Sequence, residues 1–282
     1  MIREEVQESS DSYPIAVRVW PAAGPVGGRV VVVHGVQSHG GWYHDLGRTL
    51  AGAGFEAHFP DRRGSGANGR DRGDTPSARR LVLDLIERLE HLHTLGPEPI
   101  ALAGISWGAK LGVLAAAERP DLVAALALIC PGLTPRVGVP LRERLGIAAA
   151  MLSNPRKRFP IPLSDPALFT ASPAGRAFIA DDSLGLRTAT ARLLTASVII
   201  DRRVRRALPK VRQLMLLMLA GQDRIVDNAK TKALVGRMGS DRREVIEYSE
   251  AHHTLEFEPD PSRYARDLIA WLERALGLGV KA

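Results

Sequence analysis

The sequence predicts an α/β fold, with a mostly parallel central sheet covered by helices on both faces. Short, β-branched apolar runs alternate with longer amphipathic runs, the pattern of strands linked by crossover helices. The apolar runs are nearly unbroken rather than alternating with polar residues, so both faces of each strand are expected to be buried. At 282 residues, 45% of them hydrophobic, the chain is long enough to bury such a core.

The elements follow in order. Residues 5–9 and 12–20 read as an antiparallel hairpin at one edge. Arg29-Val-Val-Val-Val-His34 runs into a glycine and forms the first buried strand. Residues 41–53 place Leu46, Leu50 and Ala53 at helical spacing, and 55–60 read as a strand. Across 77–95, Val82, Leu85, Ile86, Leu89 and Leu92 form one apolar helical stripe. A strand at 99–105, a helix of small residues at 107–119 and a strand at 122–130 come next. Near the end the pattern returns as a strand at 214–220, a helix at 228–238, a strand at 244–248 and a helix at 261–278. That last helix has Asp260 as its expected N-cap, Pro261 at its first position and Tyr264, Leu268, Ile269, Leu272 and Leu276 on one face.

Residues 131–209 interrupt the alternation. Prolines recur at 135, 140, 155, 160, 162, 166 and 173, with helix-like pieces at 141–152 and 183–206 and no strand run. The expected organisation is a sheet-bearing core from 1–130 and 210–282, with 131–209 as a helical insertion.

The charge follows the same division. The whole chain carries 38 Lys and Arg against 31 Asp and Glu. Residues 131–212 hold 15 basic against 5 acidic residues, a balance of +10, and the remainder holds 23 against 26, a balance of −3. Nucleic acid is not the expected partner, because the basic stretch offers only Phe159, Phe169 and Phe178 for stacking and no docking motif. The acidic start Met1-Ile-Arg-Glu-Glu-Val is unlike a signal peptide, and no apolar run suits a membrane span. A cytoplasmic protein without integral membrane association is expected. Cys130 is the sole cysteine, so no internal disulfide forms. No His-Glu-x-x-His run or cysteine cluster suggests a metal, and no cofactor is implied.

Chemistry concentrates in three loops. Gly104-Ile105-Ser106-Trp107-Gly108 follows a strand and opens a helix, the setting of a nucleophile elbow. A serine hydroxyl needs a base, and the base an orienting acid. Asp223 stands at the end of the 214–220 strand, with Asp227 as a rival that a helix cap would explain. His252 and His253 follow the last strand, and one of them is the expected base. The glycine-rich loop from Val33 to Trp42 is placed to supply one oxyanion-hole N–H, with Trp107 supplying the other.

These segments together resemble the α/β-hydrolases, and within them the monoacylglycerol lipase and lysophospholipase-like group. The resemblance rests on His34-Gly-Val-Gln-Ser-His39-Gly-Gly-Trp-Tyr43, on Asp61-Arg-Arg-Gly64-Ser-Gly66-Ala-Asn68, on the elbow, and on the segments around Asp223 and His253. It covers both sheet portions, about 200 residues. It implies an α/β-hydrolase fold with an inserted helical cap and an acyl ester as substrate. It implies Ser106 as nucleophile, Asp223 as acid, His253 rather than His252 as base, and Val36 and Trp107 as oxyanion-hole donors. His34, Gly35 and Gln37 of the loop, with Met151 and Phe159 of the cap, are the expected substrate-binding residues, although His34 also suits a bracing role. The elbow departs from the group's usual pattern at Ile105 and Trp107, and Trp107 is expected to narrow the acyl pocket. The run Ser106-Trp107-Gly108 also resembles the elbow of proline iminopeptidases, an alternative that wants cap carboxylates such as Glu143 or Asp165. A third alternative is a hydrolase-fold binding protein without turnover. The +10 segment raises the expectation of anionic or lipid-like substrates.

Overall fold

The computed structural model describes residues 2–278. The expected edge hairpin forms from β1 (Arg3–Glu8) and β2 (Pro14–Trp20), paired antiparallel. Strand β3 (Gly28–Val33) follows, then α1 (His44–Gly52), β4 (Phe55–Pro60), α2 (Ala78–Leu95), β5 (Ile100–Ile105), α3 (Gly108–Glu118) and β6 (Ala125–Ile129). The insertion contributes α4 (Leu141–Ser153), β7 (Arg158–Pro160), α5 (Pro173–Asp181), β8 (Thr188–Thr190) and α6 (Ala191–Ala207). The chain closes with β9 (Leu214–Ala220), α7 (Asn228–Val235), β10 (Arg243–Tyr248) and α8 (Pro261–Ala275).

Eight strands form one sheet in the order β1-β2-β4-β3-β5-β6-β9-β10. The β1–β2 and β2–β4 pairs are antiparallel; β4, β3, β5, β6, β9 and β10 all run parallel. The apolar runs are buried on both faces for the reason expected. Val31 and Val33 of β3 pack in a core cluster with residues of α2, α3 and α6, while Val30 and Val32 pack on the opposite face with residues of α1 and α8.

Several boundaries and one element differ from the sequence reading. The 41–53 helix begins as a 3₁₀ turn at Gly40–Trp42 before α1 proper. Asp260 is the N-cap residue of α8, as expected, but its carboxylate binds the side chains of Ser262 and Arg266 and makes no capping bond. The insertion is not wholly helical. Instead of one helix over 183–206, residues 188–190 form β8, which pairs antiparallel with β7. Thr190 then caps α6 by accepting from the Leu193 N–H at 3.1 Å. The cause is non-local: the Thr190 N–H donates to the Gly73 carbonyl of the core, which holds β-branched residues extended against the local helical pattern. Helix α5 sits where no element was expected.

Among the described residues, no helix is long and apolar enough to cross a membrane. The insertion lies over the carboxyl ends of the strands. The Leu186 N–H donates to the Gln37 carbonyl and the Thr254 N–H to the Phe169 carbonyl. The insertion is therefore held against that edge of the sheet.

Candidate active site

The elbow is built by close packing around Ser106. Its φ is +51°, a left-handed conformation that a non-glycine residue adopts only under constraint. The constraint is visible. The Ser106 N–H donates to the Ile129 carbonyl at 2.9 Å, and its carbonyl accepts from Gly132 at 2.8 Å. A side chain at Gly104 would put its Cβ 2.5 Å from the Ala109 Cα, and one at Gly108 would put it 2.2 Å from the Val33 carbonyl oxygen. Both glycines are therefore required for β5, α3 and the first loop to meet.

The three polar side chains converge from three loops at the carboxyl edge of the sheet. The Ser106 hydroxyl lies 2.9 Å from His253 Nε2, and His253 Nδ1 lies 2.8 Å from Asp223 Oδ2. Asp223 and His253 are buried. The other Asp223 oxygen accepts from the N–H groups of Ile225 and Val226, each at 2.8 Å, which fixes the carboxylate. In this network Nδ1 carries the hydrogen and Nε2 accepts from the serine. The two rivals lie elsewhere. Asp227 caps α7 through the Lys230 N–H. The backbone N–H of His252 donates to Glu258, and its ring is directed to the same carboxylate. Three residues past His253, the buried Glu256 accepts from the Asp45 and Leu46 N–H groups and from the Tyr264 hydroxyl, tying this loop to α1 and α8.

Among the described residues, the N–H groups of Val36 and Trp107 donate to no protein acceptor. Gly35, Val36 and Gln37 line a cavity of about 20 Å³ that also reaches Ser106 and His253. Trp42, Tyr43, Leu163 and Phe169 complete much of its wall, and the Phe169 ring stands edge-on to His253 at 6.1 Å. Sequence reading missed these four. Phe169 was visible as one of three aromatics in the basic stretch, but nothing local marks it as facing the serine. A wider groove of about 710 Å³ lies between β1 and α2 and contains none of these residues.

Three expected substrate contacts are corrected. His34 is fully buried and does not line the cavity. Its Nδ1–H donates to the Gly35 carbonyl at 2.8 Å and its Nε2 accepts from the Arg62 N–H at 2.8 Å. Burial and the nearby Arg62 charge push its pKa down to about 3, so it is a neutral brace. Met151 and Phe159 pack instead with Ile147, Ala150 and Ala191, in a cluster made by α4, β7 and the start of α6 and away from the Ser106 cavity. Trp107 does not narrow the cavity either. Its Nε1–H donates to Ser197 of α6 at 2.8 Å.

The cap is fastened around the site by polar contacts. Asp182 accepts from Trp42 Nε1 at 2.7 Å and lies 3.3 Å from His39 Nε2. Lys110 of α3 pairs with Asp201 of α6 at 2.6 Å.

Comparisons with known proteins give the family and the fold. A family model described as serine aminopeptidase, S33, matches residues 24–260. Monoglyceride lipase of Homo sapiens is 26% identical over 267 residues, covering 89% of this chain and 83% of that protein. Monoacylglycerol lipase of Mycolicibacterium smegmatis is 24% identical, covering 92% of each. The crystal structure of Paleococcus ferrophilus monoacylglycerol lipase superposes with a TM-score of 0.83 at 22% identity, covering 93% of this chain and 99% of that one. With the elbow, the sheet order and a family match across most of its length, the chain belongs to the α/β-hydrolases of the serine aminopeptidase S33 family.

Proposed function

We propose that this carboxylic ester hydrolase works through an acyl-enzyme on Ser106. Ser106 Oγ attacks the ester carbonyl carbon while His253 Nε2 takes its proton. The carbonyl oxygen becomes an oxyanion that accepts from the Val36 and Trp107 N–H groups. Collapse expels the alcohol, which leaves with the proton held by His253. Water then attacks the acyl-enzyme with His253 again as base, releasing the acid and restoring Ser106. Asp223 keeps the imidazole oriented and stabilises its charged form.

The single observation that carries this reading is the linear relay from Ser106 through His253 to a doubly anchored Asp223. The two unpartnered N–H groups beside it supply a place for the oxyanion. An aminopeptidase reading, which the family description suggests, needs a carboxylate near Ser106 to hold a substrate ammonium. Asp165 is spent capping the turn at Pro166–Leu168, and neither it nor Glu143 lines the cavity at Ser106. Ester cleavage is therefore favoured over aminopeptidase chemistry.

For the substrate we infer an anionic or lipid-like acyl ester. Helix α4 of the cap exposes Leu141, Leu145 and Leu152, at 72%, 65% and 93%, beside Arg142 and Arg144. Such a mixed apolar and cationic face suits an amphiphile with negative charge. The deciding experiment is a panel of p-nitrophenyl esters, monoacylglycerols, lysophospholipids and aminoacyl amides, run beside Ser106→Ala. Turnover of esters that vanishes in Ser106→Ala is expected. Preferential turnover of the amides would replace the ester reading.

A further inference from the structure

Two side chains stand apart in the interior. Among the described residues, only Gln37 and Arg62 each leave two buried side-chain polar atoms without a partner. Both adjoin Val36. Gln37 is its chain neighbour. Arg62, in the loop after β4, donates from Nη2 to the Val36 carbonyl at 2.9 Å. Its guanidinium carbon also lies 4.9 Å from the centre of the Trp107 ring. Arg62 therefore touches both residues whose N–H groups are assigned to the oxyanion hole.

A buried guanidinium ordinarily has a carboxylate against it, as Arg63 has Asp84. Arg62 is only 6% exposed and keeps Nε and Nη1 unpartnered. The adjacent carboxylate of Asp61 is engaged instead by Arg18 and by the N–H groups of Gly40 and Ala67. A buried charge with no carboxylate in contact is costly to the fold even with Asp61 nearby, so packing alone does not account for an arginine here. What such a charge supplies in return is stabilisation of negative charge that develops close by during reaction.

We propose that Arg62 is a positioning residue for the oxyanion hole. It holds the Val36 peptide and keeps a fixed positive charge beside the carbonyl oxygen as that oxygen becomes negative. The inference rests on the Ser106 acyl-enzyme reading. His34 already grips the Gly35 carbonyl, the other end of the peptide that carries the Val36 N–H. Arg62 grips the next carbonyl along, so both peptide units around Val36 are held by side-chain donors. Burial pushes the guanidinium down to about 10, which leaves it charged at neutral pH. A neutral ester gains little from this charge in the ground state and an oxyanion gains much, so the effect belongs in kcat rather than KM.

The test uses Arg62→Met, which keeps length without charge or donors, and Arg62→Lys, which keeps charge without the planar fork. Turnover of a p-nitrophenyl ester is measured per active site, counted by end-point fluorophosphonate labelling. Affinity is measured for a trifluoromethyl ketone, which forms an oxyanion adduct on serine, and for a neutral amide of the same acyl group. Arg62→Met is expected to lower kcat about 10- to 100-fold, somewhat less than loss of a direct donor. KM should stay within about twofold, ketone affinity should fall by the same factor as kcat, and amide affinity should hold. Arg62→Lys should fall between Arg62→Met and the wild type. Unchanged turnover per site and unchanged ketone affinity in either variant, with only a lower melting temperature, would overturn the proposal. Equal weakening of ketone and amide would do the same. If Arg62→Met does not fold, the lysine variant decides by the same two readouts. Wild-type turnover in Ser106→Ala would instead remove the underlying acyl-enzyme reading, a result separate from either arginine outcome.

Discussion

Ser106, His253 and Asp223 come from loops after three different strands, yet their side chains meet within hydrogen-bonding distance. Ser106→Ala and His253→Ala are each expected to lower ester turnover by about 10⁴-fold or more. His252→Ala should cost little, because His252 is engaged by Glu258. Steady-state kinetics on one p-nitrophenyl ester checks all three, and a larger loss in His252→Ala would move the base by one residue. His34 makes a second residue-scale prediction. Its native pKa of about 3 lies below the ordinary 6.5, so on acidification the unfolded chain takes a proton that the folded chain refuses. Its contribution to stability is therefore full above about pH 6.5 and falls as the pH drops toward 3. The melting temperature should decline across that window, and less steeply in His34→Gln. The serine and the Asp223 position were legible because each follows an apolar run at a predictable sheet edge. The choice between His252 and His253 required the resemblance, since adjacent residues share every local signal. Met151 and Phe159 were misplaced because apolarity alone does not say which cavity a side chain faces.

At the scale of elements, the core strands were legible and the cap only in part: the helix expected over 141–152 forms as α4, whereas the small sheet was not read. Runs such as Leu214–Ala220 announce burial on both faces whatever surrounds them. The pairing of β7 with β8 depends on residues far along the chain, including the Gly73 carbonyl, and leaves no periodic trace. Asp74 anchors this joint by accepting from Thr190 at 2.7 Å and from Arg192. Burial opposes ionisation of Asp74, but the bonds from Arg192 and Thr190 outweigh it and hold the carboxyl below its usual range. Its contribution is thus present above the unfolded carboxylate pKa and is lost as the pH falls through the lower folded value. Asp74→Asn should cost about 1–3 kcal/mol at neutral pH by stranding its partners. Hydrogen exchange should show faster opening over residues 188–193 in that variant, while the central strands keep their protection. Uniform acceleration throughout the protein would mean that the joint is not a local fastening.

Across the whole molecule, the positive charge takes on a divided meaning. Part of the cap's excess holds the core: Arg156 pairs with Asp71, Arg192 with Asp74 and Arg203 with Glu118. Arg158 also donates to the Arg72 carbonyl of the core, whereas Arg142, Arg202, Arg205 and Arg206, with the exposed leucines of α4, face outward. Hydrolysis of an anionic ester should therefore weaken with added salt more than that of a neutral ester of equal chain length. Parallel salt responses would reduce the charge to a structural role.

The sequence by itself determined the sheet, its helical cover, the elbow and a short choice of partners, because burial periodicity and tight-turn glycines are local properties. Only the tertiary structure decided that His34 braces rather than binds, that the cap carries a small sheet, and that Arg62 lies buried against Val36 and Trp107 with no carboxylate paired to it. These depend on which distant groups satisfy a buried hydrogen bond or charge, and a linear pattern of residues does not specify that.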